Sequence, residues 1–342
     1  MKVERASHTL IVIALVLIFI IYSKVFLVPI ILAIVLWYLI NAVNLLVRLV
    51  PFIGRKIPNG LTLAFSTILI LLVLFSAGSL IGQTINSMIA TAPDYKVNLE
   101  QQLGRILLSV GYTEPINLKS ITSELDINTY LRDLLNSFSS LAQKFLLILL
   151  YTFFLLIEQH TWTRKIAALR IDKERKENIK KMMENINKSV RKYIGVKFAA
   201  SLATGFLSYI VIRFAGLDFA LFWAFLIFVF NFIPTIGSIV ATLFPSLIAL
   251  VQFDHLSPFF LVLIGVGVIQ LIIGGVLEPK LYGDSLNISP LVIVLSLVLW
   301  GLLWGIVGML LCVPITVILI NVFAQFDRTR PVAVLLSQNG KV

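Results

Sequence analysis

Apolar residues in this chain come in long, unbroken runs rather than in the two-residue alternation of a half-buried strand. Runs at 10–22, 25–43, 61–82, 145–157, 198–214 and 258–277, with two longer ones at 219–251 and 291–323, carry almost no charge. An apolar run of about 20 residues is long enough to cross the roughly 30 Å hydrocarbon core as a helix, the secondary structure that satisfies its own backbone in lipid. The pattern predicts an all-α polytopic membrane protein with about eight transmembrane segments. The run at 10–22 has basic residues ahead of it like a leader, but Tyr22-Ser23-Lys24 offers no small-residue cleavage site, so it is expected to be the first arm of a helical hairpin.

Two polar stretches interrupt the pattern. Residues 83–144 hold five Lys/Arg and six Asp/Glu, and Leu131, Leu134, Leu135, Phe138, Leu141 and Phe145 recur at helical spacing. This predicts an amphipathic helical insert that continues into the short span at 145–157. Residues 158–197 hold twelve Lys/Arg against five Asp/Glu, with Ile179, Met183, Ile186, Val190 and Tyr193 forming one apolar stripe. Basic excess next to a span marks the cytoplasmic side, so this segment and both termini are placed inside and the near-neutral insert outside. The stripe packs against the membrane domain or lies on lipid, in which case Lys180, Lys181, Lys188, Arg191 and Lys192 face anionic lipid headgroups. The expected organisation is scaffold spans at 1–82, the insert at 83–144, a fourth span at 145–157, the basic helix at 158–197, a core at 198–326 and a cytoplasmic tail at 327–342.

The two long runs are each 33 residues. A straight helix of that length measures about 50 Å, well beyond the hydrocarbon core. Each is broken near its middle, the first by Asn231-Phe232-Ile233-Pro234-Thr235-Ile236-Gly237 with Pro245 further on, the second by Trp300-Gly301, Trp304-Gly305 and Gly308 with Pro314 further on. Each also follows a plain span. Folded back as hairpins, the two span-plus-broken-segment pairs form an inverted repeat, a plan used by secondary transporters. Two kinked single crossings are the alternative.

Composition narrows the function. The chain is 59% hydrophobic and only 13% charged, which excludes an ordinary soluble enzyme or a disordered chain. The net charge of +11 is concentrated in the basic segment, which lacks the interleaved aromatics of a nucleic-acid binder, so no nucleic-acid partner is expected. Phosphate-loop, metalloprotease and nucleophile-elbow motifs are all missing from the sequence. His8, His160 and His255 are too dispersed for a metal site, and the lone Cys312 sits in an apolar run as a small inert thiol. No catalytic residue, cofactor or metal is expected, and the chain is not read as an enzyme.

Polar and ionisable groups inside apolar segments are expensive in lipid, and by default they mark function. Asn231 either binds solute or satisfies backbone freed at the Pro234 break. Gln270, among Gly265, Gly267, Gly274 and Gly275, binds solute or joins helices. Glu278, followed by Pro279, either exchanges a proton or Na⁺ or pairs with Lys280. The candidate pathway comprises Asn231, Pro234, Thr235, Gly237, Pro245, Gln270, Glu278, Pro279, Gly301, Gly305 and Pro314, with Glu278 the coupling-ion candidate.

These motifs resemble those of the autoinducer-2 exporter family of bacterial membrane proteins, the PerM-like permeases. The resemblance rests on residues 231–237 with Pro245, on Gly275-Val276-Leu277-Glu278-Pro279-Lys280-Leu281-Tyr282-Gly283, on Leu286-Asn287-Ile288-Ser289-Pro290-Leu291, and on Leu299-Trp300-Gly301, Trp304-Gly305-Ile306-Val307-Gly308-Met309 and Val313-Pro314. It implies a multi-pass inner-membrane permease exporting a small polar solute such as autoinducer-2, with Na⁺/H⁺ exchange known among relatives. It also implies homo-oligomers, a pentamer among the forms. Thr235 departs from the pattern, which often has an aromatic residue there. Transport by movement of 219–251 and 291–323 against the first four spans is the expected mechanism. A structural or regulatory protein acting through its insert and basic helix is the reading from another class.

Overall fold

The computed structural model describes residues 11–50 (except 13 and 17), 57–109, 127–159, 161–168, 172–283 and 286–340. Asp284, His8 and His160 lie outside them, as do residues 110–126 of the insert and the side chains of its leucine stripe from Leu131 to Leu141. Among the described residues the chain is helical without a β-strand. Residues 11–22 are helical, followed by α1 (Lys24–Leu49), α2 (Asn59–Ser109), α3 (Ile127–Glu158), α4 (Trp162–Ala168), α5 (Lys173–Phe214), α6 (Ala220–Phe230), α7 (Ile236–Gln252), α8 (Ser257–Gln270), a π-helical stretch (Leu271–Leu277), α9 (Glu278–Tyr282), α10 (Pro290–Trp304), α11 (Ile306–Phe323) and α12 (Arg330–Leu336). Five helical stretches among the described residues are long and apolar enough to cross a membrane: Lys24–Leu49, Asn59–Thr91, Lys173–Phe214, Ser257–Tyr282 and Ile306–Phe323. Three more apolar helices, α6, α7 and α10, are shorter. Large side chains such as Phe75, Phe206, Phe214 and Leu302 are exposed on these helices, as lipid-facing residues are.

Two expected continuities are observed. The basic segment and the span after it form one 42-residue helix, α5, and the helix ahead of the fourth span runs into it as the 32-residue α3. Neither junction contains a proline or a glycine pair to stop the helix.

Both long apolar runs fold back on themselves, and α6 packs on α7 as α10 packs on α11. In the first hairpin the break spans residues 231–235, where Pro234 cannot donate to the ladder and Thr235 takes φ 60°. The second break is Gly305 alone, at φ 67° and ψ −146°, a conformation close to glycine-only territory. A glycine just inside the returning helix permits each close approach. A Cβ on Gly237 would lie 1.8 Å from the Phe230 carbonyl oxygen, and one on Gly308 would lie 1.9 Å from that of Trp300. Prolines contribute less than their positions suggest. Pro245 and Pro314 are buried within the continuous helices α7 and α11 and end neither. Glycine, not proline, therefore makes the second break.

The chain divides into two compact units. One comprises residues 1–63, 144–196 and 282–342. It holds the α10–α11 hairpin, pinned by a 2.9 Å hydrogen bond from Thr316 Oγ1 to Ser296 Oγ. There the loop before α10 is tied to the chain end: Ser289 N–H donates to the Leu336 carbonyl, and Gln338 N–H to that of Asn287. The other unit comprises residues 64–143 and 197–281, and holds the α6–α7 hairpin and α8. Its apolar centre includes Ile85, Ile212, Phe222, Trp223, Ile227, Val262 and Val266. Gly216, at φ 75°, caps the C-terminus of α5, with Leu217 N–H returning to the Ile212 carbonyl.

Candidate functional site

In the unit formed by 64–143 and 197–281, four polar side chains meet inside apolar helices. Lys197 Nζ donates to Glu278 Oε1 at 2.9 Å and to Oε2 at 2.7 Å. Asn231 Nδ2 donates to Ser201 Oγ at 3.0 Å and to Glu278 Oε1 at 3.3 Å. All four residues are buried, Lys197 and Glu278 with 6% of their surface exposed. Burying an unpaired charge is prohibitive, so two ions this deep persist only because each neutralises the other and the amide takes up a remaining carboxylate lone pair.

Each participant is positioned by a different local device. Lys197 and Ser201 lie one turn apart on α5 and project from the same face, which continues through buried Thr204 and Ser208. Asn231 is the first residue past α6, its N–H still bonded to the Ile227 carbonyl. Glu278 opens α9 directly after the π-helical stretch, and its N–H bonds to the Ile273 carbonyl five residues back. π-helical turns are uncommon and gather at functional positions. Here Gly274 and Gly275 lie inside the stretch.

Sequence reasoning identified Asn231 and Glu278, and the structure joins them. Glu278, however, pairs with Lys197 and not with Lys280. Lys197 was read as the last residue of a water-facing basic helix, and it was missed for that reason. Its signal was available in the spacing of Lys197, Ser201, Thr204 and Ser208, which forms one polar stripe running into a span. Gln270 is also buried, at the end of α8, and neither its Nε2 nor its Oε1 has a hydrogen-bond partner among the described residues. Pro234 is half-buried beside Asn231, Thr235 and Pro279 are exposed, and Gly237 and Pro245 are buried inside the hairpin. Gly301, Gly305 and Pro314 belong to the other compact unit, where Gly301 abuts Met309 across the α10–α11 hairpin. Among the described residues, no group of three His, Cys, Asp or Glu side chains could hold a metal ion.

A cavity of about 660 Å³ lies in the unit that includes residues 1–63 and 144–196. Its wall combines Trp37, Tyr38 and Trp162 with three cations, Lys173, Lys176 and Lys180, and two acids, Glu177 and Glu184. Trp37 Nε1 donates to Gln159 Oε1 at 2.9 Å, which fixes one side of it.

Residues 10–328 match the AI-2E family transporter profile. The chain is 30% identical over 292 residues to the AI-2 transport protein TqsA of Escherichia coli, covering 84% of this chain and 83% of that one. It is 32% identical over 294 residues to a Haemophilus influenzae protein, covering 82% and 83%. A Borreliella burgdorferi protein is 38% identical over 208 residues, 58% of this chain and 56% of the relative's length. The names of the last two assign them transport provisionally.

Proposed function

The chain belongs to the AI-2E family of transporters, and it is a helical membrane protein of that family. We propose that it is a secondary transporter which exports a small polar organic solute of the autoinducer-2 kind, with its pathway passing the Lys197–Glu278–Asn231 cluster. The observation that carries this reading is the buried ion pair at a helix break. Such a group inside a membrane segment is costly and serves a pathway more readily than it serves stability. The name of the Escherichia coli relative supports the choice of solute.

In this reading the protein sits in a bacterial inner membrane with both termini cytoplasmic, assembles as a homo-oligomer, and works through eight membrane segments that include two hairpins. Lys173, Lys176 and Lys180 outnumber Glu177 and Glu184 in the wall of the cavity they share with Trp37, Tyr38 and Trp162, and that excess at the cytoplasmic interface supports an anionic lipid headgroup as its occupant. Cation/proton exchange is the second reading, and Glu278 favours it as a membrane carboxylate that a proton or Na⁺ would neutralise in place of Lys197.

Purified protein in proteoliposomes tests both readings, with autoinducer-2 release and Na⁺-driven pH change measured side by side. The expected outcome is autoinducer-2 flux above that of protein-free vesicles, sharply reduced by Glu278→Gln and altered by Pro234→Ala. Na⁺-driven proton movement without autoinducer-2 flux would replace the proposal with the exchanger. Unaltered flux in both variants at normal expression would move the pathway away from this cluster.

A further inference from the structure

Four contacts fix the register of the helices around the ion pair. On α5 and α6, Ser201 meets Asn231, and Gly205 lies against Ala224 and Phe228, where an added Cβ would come 3.0 Å from the Ala224 carbonyl oxygen and 3.1 Å from Phe228 Cβ. The helices are antiparallel, so as α5 advances from 201 through 205 to 208 the facing position on α6 retreats from 231 through 224–228 to the level of Trp223. On α5 and α8 the Lys197–Glu278 pair forms one anchor. The other is Gly265 against Val211, where an added Cβ would lie 2.7 Å from Val211 Cγ1. Interpolating between them puts Gln270 within a helical turn of the level of Ser208.

Ser208, Trp223 and Gln270 therefore form one layer, and they share a chemical property. The Ser208 hydroxyl, the Trp223 indole nitrogen and both polar atoms of the Gln270 amide are buried without a hydrogen-bond partner among the described residues. Relative exposures are 0%, 5% and 7%. Helical hydroxyls in apolar surroundings ordinarily bond back one turn, as Thr204 does to the Ala200 carbonyl at 2.8 Å; Ser208, one turn further along, does not. Buried polar groups are nearly always paired, so three unpaired ones at one level of three helices call for a ligand. Together they offer an indole N–H, an amide NH₂, an amide carbonyl and a hydroxyl, with no formal charge.

We propose that Ser208, Trp223 and Gln270 form a neutral hydrogen-bonding station about 16 Å along α5 from the Lys197–Glu278 pair, and that it takes the hydroxyl and carbonyl groups of a small uncharged polyhydroxylated solute in transit. This rests on the transport reading above and adds a second stopping point to it. Donors and acceptors are mixed and uncharged, which suits a neutral polyol better than a bare cation, for which only the Gln270 and Ser208 oxygens are available. Vectorial passage then runs between a charged station and a neutral one.

Two measurements decide this. On a Cys312→Ala background in membrane vesicles, Ser208→Cys is treated with a small cationic methanethiosulfonate and compared with Leu207→Cys, whose native side chain is exposed on the outer face of the same helix. Ser208→Cys is expected to react and Leu207→Cys to remain inert. In proteoliposomes Gln270→Leu removes a buried unpaired amide. It should therefore leave the melting temperature unchanged or higher while lowering autoinducer-2 flux by roughly tenfold, the worth of one hydrogen bond to solute. A purely structural Gln270 gives the opposite pattern, a lower melting temperature and wild-type flux. The station is overturned if Ser208→Cys reacts no faster than Leu207→Cys, or if Gln270→Leu transports at the wild-type rate. If the wild type carries no autoinducer-2, the choice of solute falls, and the cysteine labelling still decides whether the station is reached by polar solutes.

Discussion

Replacing Lys197 with Met keeps an unbranched side chain one atom shorter and removes the ammonium from Glu278. At 2.7 Å and an effective dielectric of about 20, the pair's attraction is roughly 6 kcal/mol. Taking the two ions out of water costs several kcal/mol each, so the intact pair contributes little net stability. The asymmetry appears when one partner goes. Glu278 is then left buried and uncompensated, with only the Asn231 amide for company, and the expected loss is about 3–5 kcal/mol. The double variant Lys197→Met/Glu278→Met buries no charge, and should return to within about 1–2 kcal/mol of wild type. The cycle thus predicts a coupling on the order of 3 kcal/mol or more, at the top of the usual range for residues in contact. Reversible unfolding in mixed detergent micelles, monitored by circular dichroism, measures all four corners. A loss below about 1 kcal/mol for Lys197→Met would mean that water reaches the carboxylate, and the reasoning from desolvation would fail. Flux separates stability from function, because the double variant should fold and fail to transport.

Three further outcomes follow from the hairpins. Gly237→Ala and Gly308→Ala each push a Cβ into a backbone carbonyl and should lower thermal stability by about 2 kcal/mol or more, whereas Gly78→Ala, with open space around it, should be neutral or slightly stabilising in the same melts. Thr235→Gly relieves a β-branched residue at positive φ and should raise stability by about 1 kcal/mol; an unchanged or lower melting temperature would count against strain there. With both long runs folded back, Asp254→Cys should label from outside the cell and Tyr282→Cys from the cytoplasm, and a cytoplasmic Asp254→Cys would contradict the hairpin topology.

How much of this was legible beforehand depends on the kind of signal. Helical class and the long span runs follow from composition and run length, because lipid leaves a chain few alternatives. Breaks at residues 231–235 and at Gly305 were visible as residues that cannot continue a helix. Pro245 and Pro314 misled, since a proline inside a packed helix removes one hydrogen bond without ending the helix. Glu278 and Asn231 stood out as polar residues in apolar surroundings. Lys197 did not, because it closes a run of cations, and adjacency in sequence suggested a shared exposure that the face of α5 does not give it. The π-helical stretch at Leu271–Leu277 has no distinctive composition beyond its two glycines, and its backbone pairing depends on tertiary packing that a linear reading cannot supply.

That stretch also makes Glu278 a matter of phase. A ring closed five residues back holds one residue more than the α-helical ring it replaces, and each α-helical residue turns the chain by about 100°. Everything after residue 277 is thereby clocked relative to α8, and the carboxylate faces Lys197 only because of that extra residue. Substitutions among the exposed apolar side chains of the stretch leave this setting intact. Removal of a single residue, Gly274 for instance, would restore an ordinary helix and leave the acid near its present direction, whereas α-helical pairing of all seven residues would turn it away from its partner. The direction of the carboxylate is therefore set by which carbonyl each N–H of the stretch takes as its partner, and not by the hydropathy of the span.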